Sequence, residues 1–345
     1  MPAHSSPAPH PEPRPEPDPQ PALHSRVIDD IVPLDAQIGV AQPKTVPDAL
    51  HDAIFGDADL PSYALLDAAK APDLAEALTR SGLDHLCLFQ GRAFQQLQSV
   101  APWLVRLQPG NRFARALFTR SPAPWHLWDA QPGIFLRSHA DMAQLRAHLR
   151  HFTRLQDEKG AWYYFRFWEP AVAALYFPSL ADRPDLARRW FLPRDCAPIA
   201  QLVAMRPQDD TGRGLAHLLA PAMTGAQTPP RGTALLTQRD LALFASSRRQ
   251  ADADALARDL RRTFGDDITL PDDQLRDVSR RALERLAGLG FRQRDHLFVM
   301  LSWEIFFGPG FESIDPKGQL SQILHSPHDE AERFDMLKQR MQTLG

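Results

Sequence analysis

The chain has 345 residues, of which 43% are hydrophobic and 23% charged, and its formal net charge is −3. A chain of this length accommodates one large domain or two domains of about 100–200 residues each. The near balance of 39 basic and 42 acidic residues provides no electrostatic argument for nucleic acid or an anionic membrane surface as a partner. We therefore expect neither as a partner.

Cysteine content and the N-terminus indicate the compartment. The chain has two cysteines, Cys87 and Cys196, too few and too far apart for a disulfide framework or a structural zinc site made of cysteines. A secretory signal would show a basic region followed by an apolar stretch, and the N-terminus does not have this pattern. The sequence also lacks the roughly 18 uninterrupted apolar residues of a membrane span. These features predict a cytoplasmic protein.

The first 43 residues have a composition of their own. From Pro7 to Pro21 every second residue is proline. Proline fixes φ and removes a backbone donor, so this pattern favours polyproline II over helix or sheet. We predict a disordered proline-rich head over residues 1–43. It acts either as a solvated spacer or as a proline-rich ligand for the groove of a partner.

Residues 46–204 alternate between strand and helix patterns. Such alternation predicts an α/β lobe with a mixed sheet covered by helices. We predict strands at 63–67, 84–89, 104–107 and 134–138, and an aromatic-rich strand at 162–168. We predict helices at 68–80 and 94–100, and a third helix at 140–152 that is capped by Ser138.

The pattern changes beyond residue 205. Residues 205–231 are rich in Gly, Pro, Gln and Thr and are predicted to connect two lobes. Residues 232–345 show helical patterns only. Thr237 and Asp240 have the spacing of a capping box, with Asp where Glu or Gln is usual. Apolar periodicity and glycine stops predict helices that end at Gly265, near 288–290, at Gly308 and near residue 341.

Known catalytic signatures are missing from the sequence. It contains no Gly-x-Ser-x-Gly elbow and no glycine-rich phosphate loop. His148 and His151 share a helix face, but their spacing does not reproduce a metal signature. We therefore expect no enzyme activity, no cofactor and no metal.

The aromatic run 162–168 is the most unusual local feature. If the strand were continuous, Trp162, Tyr164, Arg166 and Trp168 would lie on one face. Burial of both faces in the core is one interpretation, and a partner surface is the other, since Trp, Tyr and Arg are enriched among interface hot spots. An arginine in such a strand needs an anion or a carbonyl, and Glu169 or Asp67 could supply it.

Three apolar cassettes and one helix occur in a fixed order: YALLD at 63–67, APWLV at 101–105, LRAHLRHF at 145–152 and FRFWEP at 165–170. This order resembles the cytoplasmic adaptor chaperones of bacterial type VI secretion, the Tap or Tec proteins. The resemblance covers residues 62–170 and, more loosely, the helical region to about Lys338. It departs from the family at Trp168 and Glu169, where Tyr-Asp is usual, and in the proline-rich head.

The resemblance implies a non-catalytic protein that binds a cognate toxin effector and the C-terminal region of the VgrG spike, and loads the toxin onto the spike. An immunity or scaffolding protein, or an enzyme with an unrecognised site, remains an alternative. The candidate partner-binding or motif residues are Tyr63, Asp67, Trp103, His148, Arg150, Arg166, Trp168 and Glu169.

Overall fold

The computed structural model describes residues 21–194, 196–208, 211–222 and 232–344. The chain divides into two compact units, Met1–Asp240 and Leu241–Gly345. Strands occur in the first unit, whereas the described residues of the second are helical. The predicted fold class, an α/β lobe followed by a helical region, is therefore confirmed.

The strands of the described residues are β1 Leu23–Ile31, β2 Ser62–Asp67, β3 His85–Cys87, β4 Pro102–Arg106, β5 Gly133–Ser138, β6 Arg154–Asp157, β7 Trp162–Tyr164, β8 Ile199–Pro207, β9 Gly214–Pro221 and β10 Leu235–Leu236. The α-helices are α1 Asp48–Phe55, α2 Leu74–Ser81, α3 Gly91–Leu97, α4 Arg112–Ala116, α5 Met142–Arg150, α6 Pro170–Tyr176, α7 Pro184–Phe191, α8 Gln238–Phe264, α9 Asp272–Gly288, α10 Arg294–Phe307, α11 Gln319–Leu324 and α12 Glu330–Gln342.

The larger sheet has the order β1-β9-β8-β5-β2-β4-β3, and each pairing between its described strands is antiparallel. Parallel strands occur instead in the smaller sheet, of order β10-β6-β7, where β10 runs parallel to β6. The mixed pairing expected from the alternation of strands and helices is thus confined to the smaller sheet. Short hairpin connections such as that between β8 and β9 require antiparallel neighbours.

The central strands β2 and β5 of the larger sheet are buried on both faces. Alternate residues of β2 point to opposite sides, so Leu66 joins one core with Trp103 and the helices α1, α2 and α4. The helices α5, α6 and α7 contact other strands of the sheet and contribute to an aromatic cluster. In this cluster Phe152 stacks on Trp190 with ring centroids 3.7 Å apart.

Two predicted boundaries are wrong where they cut the larger sheet. Residues 23–31, predicted as part of a disordered head, form β1 and pair with β9. Residues 214–221, predicted as part of a connector, form β9 and pair with β8. Both ends of β1 are buried while most of its interior is exposed, so ladder hydrogen bonds rather than apolar content hold it. The proline-rich residues before 21 lie outside the described ranges.

The predicted cap of α5 is also wrong. Asp141 is the N-cap residue, and with Gln144 it forms a capping box. Ser138 instead donates from its hydroxyl to the carbonyl of Pro198 at 2.8 Å, because it lies within β5 beside the start of β8.

The second unit is built on two apolar clusters. One contains Leu256 and Leu260 of α8 with Leu275 and Ala282 of α9, and the other is centred on Phe291 and its helical neighbours. The predicted capping box at the start of α8 is present, since Thr237 N–H donates to Asp240 and Asp240 N–H donates to Thr237 Oγ1. Helices ending near Gly265, Gly288 and Gly308 are confirmed as well.

Candidate protein-binding surface at the β6–β7 hairpin

Asp67 lies in the cassette at 63–67 and hydrogen-bonds to two side chains of the cassette at 165–170. It ends β2 with its side chain buried, 2% exposed. Its Oδ2 accepts from Arg166 Nη2 at 2.5 Å and from Trp168 Nε1 at 3.1 Å. Its Oδ1 accepts the backbone N–H of Ala69 at 2.9 Å. A buried carboxylate with this set of donors is fully satisfied and fixes the position of the chain around residues 166–168.

Arg166 connects this buried acid to a half-buried one. Its Nε lies 3.9 Å from Glu169 Oε2, and Glu169 Oε1 lies 3.2 Å from Lys70 Nζ. Burial alone would lower the pKa of Arg166, but the hydrogen bond and charge of Asp67 outweigh it and raise that pKa. Arg166 therefore has the structural partners that the sequence indicated.

The continuous strand predicted over 162–168 is wrong, because the chain leaves the ladder after Phe165. Phe165 N–H still donates to the carbonyl of Thr153. Beyond it Phe167 and Trp168 are buried in the aromatic cluster. Trp162 and Trp168 do not share a face: Trp162 is 57% exposed and Trp168 0%. The hydrogen bonds from Arg166 and Trp168 to the buried Asp67 hold the second half of the run against the core.

The first half of the run is left in solvent. Tyr164 is 52% exposed and Tyr163 37%. On the exposed face the guanidinium of Arg154 lies over the ring of Trp162, 4.9 Å from its centroid. Three adjacent exposed aromatic side chains with an arginine stacked on one of them match the composition of interface hot spots.

The hairpin that carries these side chains is held at its turn by Asp157. Its Oδ1 accepts the backbone N–H groups of Lys159 and Ala161, and Tyr163 donates its hydroxyl to Oδ2 at 3.3 Å. Burial would raise the pKa of Asp157, but these hydrogen bonds lower it overall. The carboxylate therefore stays ionised and keeps the turn closed.

Tyr164 links the exposed hairpin to the buried cluster. Its ring packs edge-on against Trp168, with centroids 5.7 Å apart, and lies 6.1 Å from the ring of Phe89. Partial burial, and next the charge of Asp67, raise the pKa of Tyr164 to about 12. The phenol is therefore neutral over the physiological range and serves as an amphipathic contact.

The other predicted residues lie elsewhere. Tyr63 is buried and donates its hydroxyl to the carbonyl of Ala140 at 2.9 Å. Trp103 is buried on the opposite face of the larger sheet from Asp67, in the core with Leu66. The structure thus brings Asp67, Arg166, Trp168 and Glu169 together and does not add Tyr63 or Trp103 to them.

The two α5 residues also differ from each other. His148 donates from Nε2 to the carbonyl of Trp190 at 2.8 Å, and burial lowers the pKa of His148. Arg150 is exposed and hydrogen-bonds to Gln90 Oε1, beside the Phe89 that touches Tyr164. Of these two α5 residues, Arg150 is thus the one whose partner adjoins a neighbour of Tyr164.

Sequence reasoning missed Arg154, Lys70 and Phe89. Nothing in their local sequence marks them, because each reaches the surface through a contact made across the fold. The exposure of Leu97 and Val100 was also missed. Apolar residues in a helix are usually buried, but the helix at 91–97 has no buried residue.

A cleft of about 520 Å³ in the first unit is lined in part by His148, His151 and Arg189. Within the described ranges, no group of three or more His, Cys, Asp or Glu side chains is placed to hold a metal ion. None of the described helices combines the length and apolarity needed to cross a bilayer.

Residues 62–184 match the model of a protein family described as a domain of unknown function, DUF4123. The matched segment, less than half of the 345 residues, starts with β2 and ends at the first residue of α7. It includes the whole β6–β7 hairpin and also Asp67, Arg166, Trp168 and Glu169, which we call the Asp67 cluster. No similar curated protein and no similar solved structure was found.

Proposed function

We propose that this protein is a non-catalytic cytoplasmic adaptor of type VI secretion, which binds a toxin effector and loads it onto the VgrG spike. The observation that carries the proposal is the aromatic surface of Trp162, Tyr163 and Tyr164. It lies within the segment that matches DUF4123, in the region where the apolar cassettes resemble those of the adaptor family. A surface of this composition supports binding to another protein.

The design of the surface also supports this role. The Asp67 cluster anchors the chain immediately after the hairpin, and Asp157 closes its turn. The exposed rings are therefore held in place before a partner arrives, so little conformational entropy is lost on binding.

The proposal is tested by co-expression with the neighbouring spike and toxin candidates, followed by tagged pull-down and size-exclusion chromatography. We expect a complex that contains all three chains. Trp162→Ala and Tyr164→Ala should each weaken it by about 2 kcal/mol, which is about 30-fold. Trp125→Ala is the matched control, because Trp125 is 67% exposed in a loop of the same matched segment and lies beside α2 and α4.

The other classes of protein give different results in this experiment. An immunity protein would bind and neutralise the toxin without the spike. A scaffold would assemble with copies of itself. A folded chain that binds neither partner would overturn the adaptor proposal and favour an enzyme with an unrecognised site.

A further inference from the structure

Two hydrogen bonds at the ends of the β6–β7 ladder show which of its residue pairs are hydrogen-bonded. Phe165 N–H donates to the carbonyl of Thr153, and Asp157 N–H donates to the carbonyl of Ala161, both at 2.9 Å. In an antiparallel ladder hydrogen-bonded pairs alternate with pairs that are not hydrogen-bonded. Tyr163 is therefore the β7 residue that pairs with β6 through its backbone.

Trp162 and Tyr164 occupy the other positions, so their backbone N–H and C=O groups point away from β6. On that side β7 is the last strand of the order β10-β6-β7. Among the described residues these groups have no hydrogen-bond partner. Proteins usually protect such an edge with lysine, proline or a bulge, and β7 carries Trp-Tyr-Tyr instead. An open aromatic edge is suited to accept an added strand.

Residues 8–20 of this same chain have the sequence of a strand that has backbone donors on one side only. Over residues 8–20 the non-proline residues stand at even positions and the prolines at odd positions. In an extended chain the backbone hydrogen-bonding direction alternates with the same period of two residues. If these residues are extended, every remaining N–H would therefore point to one side. The other side has no donors, and each residue that precedes a proline is restricted to extended conformations.

We propose that residues 8–20 add as a strand along the free edge of β7. The even-numbered residues hydrogen-bond to Trp162 and Tyr164, and the prolines face outward. The outward side then lacks the donors that a further strand would need, which closes the sheet against self-association.

Charge supports this occupant. Residues 8–20 contain Glu12, Glu16 and Asp18 against one arginine, Arg14. Residues that pair directly across an antiparallel ladder have their side chains on the same face. The acidic side chains would thus lie beside Trp162 and Tyr164, where the exposed Arg154 is stacked.

The segment 8–20 is also followed closely by a described residue, Ala22, that a short series of contacts connects to the hairpin. Ala22 N–H donates to the carbonyl of Ala181, and the next residue, Asp182, pairs with Arg239 at 2.7 Å. The neighbouring Gln238 N–H donates to Glu158, in the turn of the hairpin. Thirteen extended residues span about 45 Å, so this short series of contacts lies within the length of the segment.

The test is amide hydrogen exchange of the full chain, measured residue by residue. The variant Glu12→Pro/Arg14→Pro/Glu16→Pro removes donors from the inward side and keeps the chain extended. We expect it to speed exchange of the Trp162 and Tyr164 amides by about tenfold and to leave that of Tyr163 unchanged. The matched variant Pro11→Ala/Pro13→Ala/Pro15→Ala alters the outward side and should change none of the three.

Three results would overturn the proposal. Equal exchange in the wild-type chain and the first variant would mean that the head does not occupy the edge. Faster exchange of the Trp162 and Tyr164 amides in the second variant alone would mean that the segment docks through its proline rings and not through backbone hydrogen bonds. Protection that depends on protein concentration and not on the head, with a dimer in size-exclusion chromatography, would make a second copy the occupant. The experiment uses the isolated chain, so its outcome is independent of the adaptor proposal.

Discussion

At the scale of single residues, Asp67 connects the end of β2 to the chain around residues 166–168. It accepts hydrogen bonds from two side chains about 100 positions later in the sequence, 99 positions for Arg166 and 101 for Trp168. Removing the charge of a buried acid leaves its cationic partner without compensation, and this costs more than the pair itself contributes.

We expect Asp67→Asn to lower the free energy of unfolding by about 1–3 kcal/mol, less than for a fully buried pair because Arg166 is 39% exposed. Urea denaturation followed by Trp fluorescence measures the loss. Glu169→Gln is the matched control, since this half-buried partner of the same arginine should cost less than about 1 kcal/mol. Equal losses in the two variants would contradict the central role of Asp67.

The phenol of Tyr164 gives a second prediction for a single residue. Its folded-state pKa is raised to about 12 from the ordinary value of 10, so the folded protein holds this proton more tightly than the unfolded chain. The corresponding stability is complete below pH 10 and is lost as the pH rises towards 12.

The difference between the ultraviolet titration curves of the wild-type chain and of Tyr164→Phe should show this ionisation at high pH. Asp67→Asn should move it to lower pH, because the negative charge that opposes ionisation is gone. A difference curve centred near pH 10 would contradict the described position of the ring.

At the scale of elements, the start of α8 combines a capping box with an ion pair. Asp240 accepts from Thr237 and also binds Arg183 through two hydrogen bonds of 2.7 and 3.1 Å. Its side chain is 0% exposed. Burial would raise the pKa of Asp240, and Arg183 and Thr237 outweigh it and lower that pKa. This acid therefore fixes where the helix begins.

Asp240→Asn should destabilise the first unit by about 3–5 kcal/mol at neutral pH. In the wild-type chain the contribution is present above pH 4 and is lost as the pH falls through the lowered pKa of Asp240. Thermal unfolding at pH 7 and at a series of pH values below 4 measures both effects. The control is Asp182→Asn, which removes the exposed pair with Arg239 and should cost no more than about 1 kcal/mol.

At the scale of the whole molecule, the two units have separate cores and separate buried ion pairs. In the second unit Arg340 binds both oxygens of Asp315 at 2.5 and 2.9 Å, and the Asp315 side chain is 0% exposed. This pairing lowers the pKa of Asp315 well below its usual range. The second unit should consequently lose stability as the pH falls below about 4.

Trp303 is the one tryptophan of residues 241–345, so its fluorine signal in a 5-fluorotryptophan-labelled chain reports on the second unit alone. We expect Asp315→Asn to lower the urea midpoint of this signal at pH 7 and to flatten its dependence on pH below 4. The signals of the tryptophans in the first unit should keep their midpoints. An unchanged pH dependence would show that Asp315 does not carry the acid sensitivity.

Much of the local structure could be predicted because its signals lie within a few residues. The period of Leu256 and Leu260, the glycine after Phe264 and the Thr237–Asp240 spacing all act over one or two turns of helix. The strands β2, β4 and β5 were predicted from short apolar runs ended by polar residues or proline. The candidate partners of Arg166 followed from the need of a partly buried cation for a carboxylate.

The sequence by itself determined the type of the elements with strong local patterns, such as β2, β5, α5 and α9, and the residue chemistry of the cassette at 165–170. Only the tertiary structure decided that β1 joins the sheet beside β9, that Asp67 meets Arg166, and that the aromatic run divides into an exposed and a buried half. Periodicity and capping are local interactions, so a sequence window contains them. The pairing of β1 with β9 and the contact of Asp67 with Arg166 join residues about 100 or more positions apart, and a local pattern holds no information on which of them meet.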